Sequence, residues 1–420
     1  MSEFYDALET RDPQAREQAL LAALPAQLAS AQRHVSAFTE ILKGIDPAAI
    51  TSRAALASLP VTRKHELFER QKAKRASDPF GGFSAIGWSA LQGKRGARRV
   101  FQSPGPIYEP EGEASDYWRV ARAIYAAGFR RGDLAHNSFS YHLTPAGSMM
   151  ETGAQAIGCT VFPGGVGNTE LQLQAITELR PQGYLGTPSF LKIVLEKAEE
   201  AAVPLTSMSK ALVSGEACPP SLREWFSVRG LDVYQCYATA DVGLIAYETA
   251  AREGLVLDEG VIVEIVRPGT GDPVPEGEVG ELVVTPLNTD YPLIRFGTGD
   301  LSAMLPGRCP TGRTNARING WMGRADQTAK VRGMFVHPSQ IAEIARRHPE
   351  VLKARLVVSG EMATDHMTLQ VEVKGSAQGL DEHLGRSIRD VTKLRAEVAL
   401  CAPGSLPNDG KVIEDARRYE

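Results

Sequence analysis

Apolar positions along this chain fall first at helical spacing, then in short runs separated by helical stretches, and later in strict alternation. Near the start, Asp12-Pro13 offers a capping carboxylate followed by proline at the first helical position, and Leu20, Leu21, Leu24 and Leu28 then share one face. The pattern predicts a helix, which Pro25 is expected to kink or split because it removes a backbone donor. Residues 76–112 are rich in Gly, Pro and Ser and predict loop or short strands. From Ser115 to Gly243 helical and strand-like runs alternate, as in a sheet whose strands are linked by helices. Asp116 to Ala127, Thr169 to Leu179 and Leu191 to Ala202 are predicted helices. Gly158 to Pro163 is predicted as a short buried strand, and Gly183 to Gly186, Ala211 to Ser214 and Leu231 to Tyr237 as further strands. Polar turns follow these strands, at the end where open α/β sheets bind ligands.

Between Val261 and Leu305 the period becomes two, with Pro-Gly turns, which predicts an antiparallel subdomain. Beyond Gly323 the chain reads as a small α+β unit, with helices near Pro338 to Arg347 and Leu380 to Lys393 and strands near Ala354 to Val358, Thr368 to Val373 and Ala396 to Leu400. The expectation is a large α/β N-terminal domain over 1–322 with a β-subdomain, and a small C-terminal α+β domain over 323–420.

Composition narrows the function classes. A chain of 420 residues that is 43% hydrophobic can bury a large core and has length for two domains. A net charge of -4 gives no concentrated basic surface for nucleic acid. The local basic group Lys72, Lys74, Arg75, Lys94, Arg95, Arg98 and Arg99 fits a solvated surface or a contact for the 3′-phosphate of coenzyme A. Five scattered cysteines without a Cys-x-x-Cys pair argue against a disulfide framework or zinc knuckle. The N-terminus lacks a secretory pattern, and no window of about 18 apolar residues occurs, so a cytoplasmic protein without a membrane partner is expected.

The most informative motifs lie late in the chain: Tyr291-Pro292-Leu293-Ile294-Arg295-Phe296-Gly297-Thr298-Gly299-Asp300-Leu301, then Gly323-Arg324-Ala325-Asp326, then Arg332-Gly333-Met334-Phe335-Val336-His337-Pro338. Upstream stand His136-Asn137, Gly158-Cys159-Thr160-Val161 and Thr187-Pro188-Ser189. In this order the set resembles the adenylate-forming acyl-CoA ligases, specifically the phenylacetate-CoA ligase family. The resemblance implies an adenylate-forming fold and an AMP-forming carboxylate-CoA ligase. Such an enzyme converts an acid and ATP to an acyl-adenylate and then a thioester, with Mg²⁺ and coenzyme A. Its partner would be a small carboxylic acid, aromatic acids leading, and a homodimer is compatible with it.

The same resemblance assigns residues. Tyr237-Ala238-Thr239-Ala240-Asp241 stands where the family has Tyr-Gly-x-Ser-Glu, which puts Tyr237 on the adenine face, with Ala238 and Thr239 in the same nucleotide-binding turn, and Asp241 as a Mg²⁺ ligand. On its own this pentapeptide also fits a strand-end tyrosine beside a capping aspartate. Ser214-Gly215-Glu216-Ala217 resembles the turn whose backbone lies beside the adenine, with Glu216 as a second metal ligand. Asp300 matches the carboxylate that accepts hydrogen bonds from the ribose hydroxyls, a task suited to a group that only accepts. Arg324 would support the ribose or the α-phosphate, Asp326 matches the hinge, and Lys411 stands at the position of the catalytic lysine, where a long flexible cation suits a moving domain. Phe139, Tyr141, His142 and Met149 align with the acyl-pocket wall, although His142 fits a core histidine equally.

One segment departs from the family. Where a Ser-Ser-Gly-Thr-Thr-Gly-Lys-Pro loop grips phosphates, this chain has Ser103-Pro104-Gly105-Pro106-Ile107-Tyr108-Glu109-Pro110. Two prolines remove donors, and Glu109 replaces a cation by an anion, so ATP is expected to bind weakly through this loop. Two readings follow: a working ligase in which Arg98, Arg99 or Arg295 helps hold pyrophosphate, or a degenerate relative, non-catalytic or of altered activity, that binds AMP, an acyl-adenylate or a CoA thioester. A scaffold protein of the same fold would leave Asp300 and Lys411 without a purpose.

Overall fold

The computed structural model describes residues 3–86, 96–267, 271–325, 329–336, 338–360, 364–374, 379–407 and 412–417. The chain divides into two compact units, Met1–Gly323 and Arg324–Glu420.

The first unit opens with the helix Pro13–His34, whose Asp12 carboxylate accepts from the Ala15 N–H at 2.9 Å. Pro25 lies inside this helix and does not split it. Proline costs a helix interior about 3 kcal/mol. Leu20, Leu24, Leu28 and Ala31 are buried on one face, and each buried leucine contributes roughly 1.5–3 kcal/mol, so packing outweighs the lost hydrogen bond. Gln27 and Arg16 fix the helix laterally: Gln27 Nε2 donates to the Asn288 carbonyl at 2.7 Å, and Arg16 Nε donates to Glu259 at 2.9 Å.

The large sheet runs, in spatial order, Met304–Leu305, Arg317–Ile318, Leu255–Leu257, Gly243–Glu248, Asp232–Thr239, Lys210–Val213, Gly183–Gly186, Leu134–Asn137 and Thr160–Pro163. From Thr160–Pro163 to Asp232–Thr239 the neighbours are parallel, joined by helices Ala146–Ala156, Thr169–Leu179, Pro188–Glu200 and Pro220–Ser227. Beyond Asp232–Thr239 the pairing is antiparallel. Thr160–Pro163 was expected to be buried; it is instead the sheet's edge, paired on one side only and partly exposed. The helix expected from Asp116 is confined to Ala121–Ala126, because the Asp116 carboxylate accepts from the Val120 and Ala121 N–H groups at 3.0 and 3.1 Å and so stands ahead of the first turn. A second sheet, ordered Thr62–Arg63, Phe296–Ser302, Gly280–Pro286 and Val261–Val266, is the alternating region. Its apolar residues, among them Ile262, Leu282 and Phe296, share one core with Leu24 and Leu28. The segment expected as loop or short strands forms the hairpin Arg99–Ser103 with Ile107–Glu111.

In the second unit, the sheet ordered Glu397–Cys401, His366–Val373, Val351–Ser359 and Ile413–Asp415 packs with helices Pro338–Arg347 and Leu380–Thr392 around Leu356, Leu369, Leu384 and Ile388.

Candidate active site

The strand Asp232–Thr239 changes partners along its length. Asp232 to Gln235 pair in parallel with Lys210–Val213, whereas Cys236 to Thr239 pair antiparallel with the Gly243–Glu248 strand, with a register shift at Tyr237 and Ala238. At this change the Tyr237 hydroxyl donates to Asp300 Oδ2 at 2.6 Å. Asp300 comes from the other sheet, in Phe296–Ser302, and its N–H is held by Thr298 Oγ1 at 3.1 Å. The second carboxylate oxygen, Oδ1, accepts from Trp321 Nε1 at 3.1 Å. One half-buried carboxylate therefore joins the two sheets of this unit.

The turn after Lys210–Val213 lies alongside. Ser214 Oγ donates to the Cys236 carbonyl at 2.8 Å, next in sequence to Tyr237. Gly215 has φ +82, a left-handed conformation that costs other residues roughly 1–2 kcal/mol. Gly215 and Glu216 are exposed, and Ala217, Ala238 and Thr239 half-buried. Thr239 Oγ1 accepts from the Val242 N–H at 3.2 Å and fixes the next turn. Glu216, expected as a metal ligand, accepts from the Ser189 N–H at 3.4 Å, at the start of helix Pro188–Glu200.

Asp241 is 3% exposed. Its Oδ2 accepts from Lys64 Nζ at 2.8 Å, while Oδ1 is buried without a hydrogen-bond partner. Lys64 begins the helix Lys64–Lys74 and is delivered by the short strand Thr62–Arg63, which runs parallel to Phe296 and Gly297. Glu109 lies against the same group. Its carboxylate is fully buried, accepts from the Ser103 hydroxyl, and leaves Oε2 without a partner. Burial, and then the neighbouring Asp241, push this carboxyl well above the usual range, with Lys64 opposing. The Tyr291 hydroxyl, also buried and unpartnered, is pushed up by burial and by Glu109 and Asp241. The hairpin bearing Glu109 is pinned from outside: Gln71 exchanges hydrogen bonds with the Tyr108 backbone, each 2.8 Å, and the Arg75 guanidinium stands 5.7 Å from the Tyr108 ring centre.

The structure corrects the expected use of Arg295. It is 1% exposed, donates to Glu264 through Nε and Nη2 at 3.0 Å each, and also donates to the Ala57, Leu59 and Gly271 carbonyls. A guanidinium so fully engaged in the core is not available to pyrophosphate. Arg99 likewise donates to the buried Glu111 at 2.7 Å.

The expected pocket residues separate. Phe139 and Met149 are buried in the core beside Trp118. Tyr141 is half-buried, its hydroxyl accepting from Asn137 Nδ2 at 2.7 Å and pushed upward by burial and then by Glu151. His142 is exposed, so it is not a core histidine. In the second unit the Arg324 guanidinium lies 5.6 Å from the Phe335 ring centre. Asp326, His337 and Lys411, with Lys94 and Arg95 of the basic group, lie outside the described residues. Among the described residues no cluster of three or more His, Cys, Asp or Glu side chains is arranged to hold a metal, and no helix is long and apolar enough to cross a membrane.

Two contributors were not found from sequence. Lys64 and Asp241 are 177 positions apart, and no local spacing connects them. Trp321 stands just ahead of the Gly323-Arg324 pair, and its exposure to solvent gave the apolar pattern no signal.

Known proteins resemble this chain over most of its length. Residues 121–288 match the family described as AMP-binding enzyme, and residues 333–417 its C-terminal domain. The chain is 30% identical over 386 residues to phenylacetate-coenzyme A ligase of Aromatoleum evansii, covering 86% of this chain and 84% of that protein. It is 29% identical to the phenylacetate-coenzyme A ligase of Thermus thermophilus, with 87% of each chain covered. Among solved structures, a 2-hydroxyisobutyryl-CoA ligase in complex with its acyl-AMP and CoA shares the fold, with a TM-score of 0.84 at 24% identity, covering 100% of this chain and 93% of that one. Fold and matches together define an adenylate-forming, AMP-binding enzyme. Within that class, the chain belongs to the phenylacetate-coenzyme A ligase family of AMP-forming acid–thiol ligases.

Proposed function

We propose that this chain binds the adenosine of ATP at the junction of its two N-terminal sheets and there activates an aromatic carboxylic acid for transfer to coenzyme A. The observation that carries this reading is the Asp300 carboxylate, held at 2.6 Å by Tyr237 beside the Gly215 turn, at the carboxyl ends of parallel strands. An ionised carboxylate only accepts, so it suits the two ribose hydroxyls. The Tyr237 ring and the Gly215 backbone then flank the adenine. The acid's carboxylate oxygen attacks the α-phosphorus and pyrophosphate leaves; the coenzyme A sulfur next attacks the acyl carbon and AMP leaves with the carboxylate oxygen. Lys411 is assigned to the charge that develops at the α-phosphate, and Arg324 to the ribose or the same phosphate. When bound, Mg²⁺ neutralises phosphate charge, and the buried, unpartnered Oδ1 of Asp241 is an oxygen donor that fits it. The alternative of a binder without ligase activity gains nothing from the relatives.

Pyrophosphate exchange with ATP, Mg²⁺ and phenylacetate tests the reading. Exchange is expected in the wild type. Asp300→Ala should weaken nucleotide binding by about tenfold or more, and Lys411→Ala should lower the exchange rate by about 10²–10³. Wild-type exchange rates in both variants would remove the assignment.

A further inference from the structure

Trp321 is 39% exposed and Met322 46%, an unusual place for two large apolar side chains unless something holds them there. Backbone pairing does so. The Asn319 N–H donates to the Ala303 carbonyl at 3.0 Å, the Met322 N–H to the Leu301 carbonyl at 2.9 Å, and the Leu301 N–H to the Gly323 carbonyl at 2.9 Å. Ser302 Oγ adds a bond to the Gly320 carbonyl at 2.7 Å. The segment 319–323 is thus laid along the strand that carries Asp300, and the Trp321 indole reaches across to donate to Asp300 Oδ1 at 3.1 Å. Tyr237 holds the other oxygen. A carboxylate gripped at both oxygens by donors on separate supports cannot pivot about its side-chain bonds, and its remaining lone pairs point in fixed directions.

We propose that Trp321 is a positioning residue for the nucleotide's sugar: by fixing the Asp300 carboxylate it makes this enzyme discriminate ribose from 2′-deoxyribose. The inference rests on the assignment of Asp300 to the ribose and adds a residue and a selectivity to it. Trp321 contacts the sugar's acceptor rather than the reacting atoms, so its loss should act on selectivity more than on folding.

Calorimetric affinities for AMP and 2′-deoxy-AMP, measured on the full chain, test it. The wild type should prefer AMP by about tenfold or more, the value of a hydrogen bond to a charged acceptor. Trp321→Phe keeps an aromatic ring but has no N–H donor, and should shrink that preference at least about threefold with an unchanged melting temperature. Trp321→His, which restores a ring N–H, should recover it. Asp300→Ala should abolish the preference. If Trp321→Phe keeps the wild-type preference while Asp300→Ala loses it, or if Trp321→His recovers nothing, the role given to Trp321 is overturned and the ribose assignment stands. If the wild type shows no preference, or Asp300→Ala retains it, the ribose assignment itself fails and takes this inference with it.

Discussion

Glu109→Gln is the substitution that interrogates the altered loop most directly. In the folded chain this carboxyl is fully buried and titrates well above its ordinary value, because burial disfavours its charge and Asp241 repels it more than Lys64 attracts it. In the unfolded chain it titrates normally. A raised acid binds more protons folded than unfolded, so the contribution to stability is intact below the ordinary carboxylate range and is lost as pH rises toward the folded value. The slope is at most about 1.4 kcal/mol per pH unit between the ordinary carboxylate value and the raised one. Glutamine does not titrate. Its amide oxygen can still accept from Ser103. The variant should therefore match the wild type below the ordinary carboxylate range and exceed it increasingly as pH rises above that range, by about 2 °C in melting temperature per kcal/mol in a unit of this size. Urea denaturation or thermal melts across a buffer series would read the difference. A gap that stays constant with pH, or a variant less stable than the wild type throughout, would show that Glu109 is ionised and held as an ion pair, and the argument would be wrong.

Removing the Arg295 guanidinium should strand Glu264, which is itself buried, so Arg295→Met is expected to lose about 3–5 kcal/mol in urea denaturation; a loss under about 1 kcal/mol would mean the pair is solvated. Gly215→Ala forces an L-residue to φ +82 and should cost roughly 1–2 kcal/mol, with AMP affinity falling in calorimetry if the turn flanks the adenine; unchanged stability would show that the turn relaxes to an ordinary conformation.

What could be read from the sequence, and what could not, divides along one physical line. Residues whose place depends on local chain direction were legible. Asp12-Pro13 began its helix, one parallel strand ended in the polar turn that carries Gly215 and the next ran on through Tyr237, and period-two alternation marked the sheet that carries Asp300. Residues whose meaning depends on a distant partner were not. Pro25 obeys the burial of its neighbours on a core built from Val261–Val266 and Gly280–Pro286 rather than its own ring, and Arg295 sits inside the most informative motif yet belongs to Glu264. Glu109 is the instructive case. Position in the loop made it an anion facing a triphosphate, but the pairing of Phe101 with Glu109 and Ser103 with Ile107 in the hairpin turns its side chain inward. Burial, and then Asp241, push this carboxyl well above its usual range, with Lys64 opposing, which favours its neutral form. The repulsion inferred from charge reversal at this position presumes a side chain facing the phosphates, whereas Glu109 is fully buried and packed against Ser103. The cation that does reach this acidic group is Lys64, supplied by a segment that precedes the loop in the chain and is joined to it only in three dimensions.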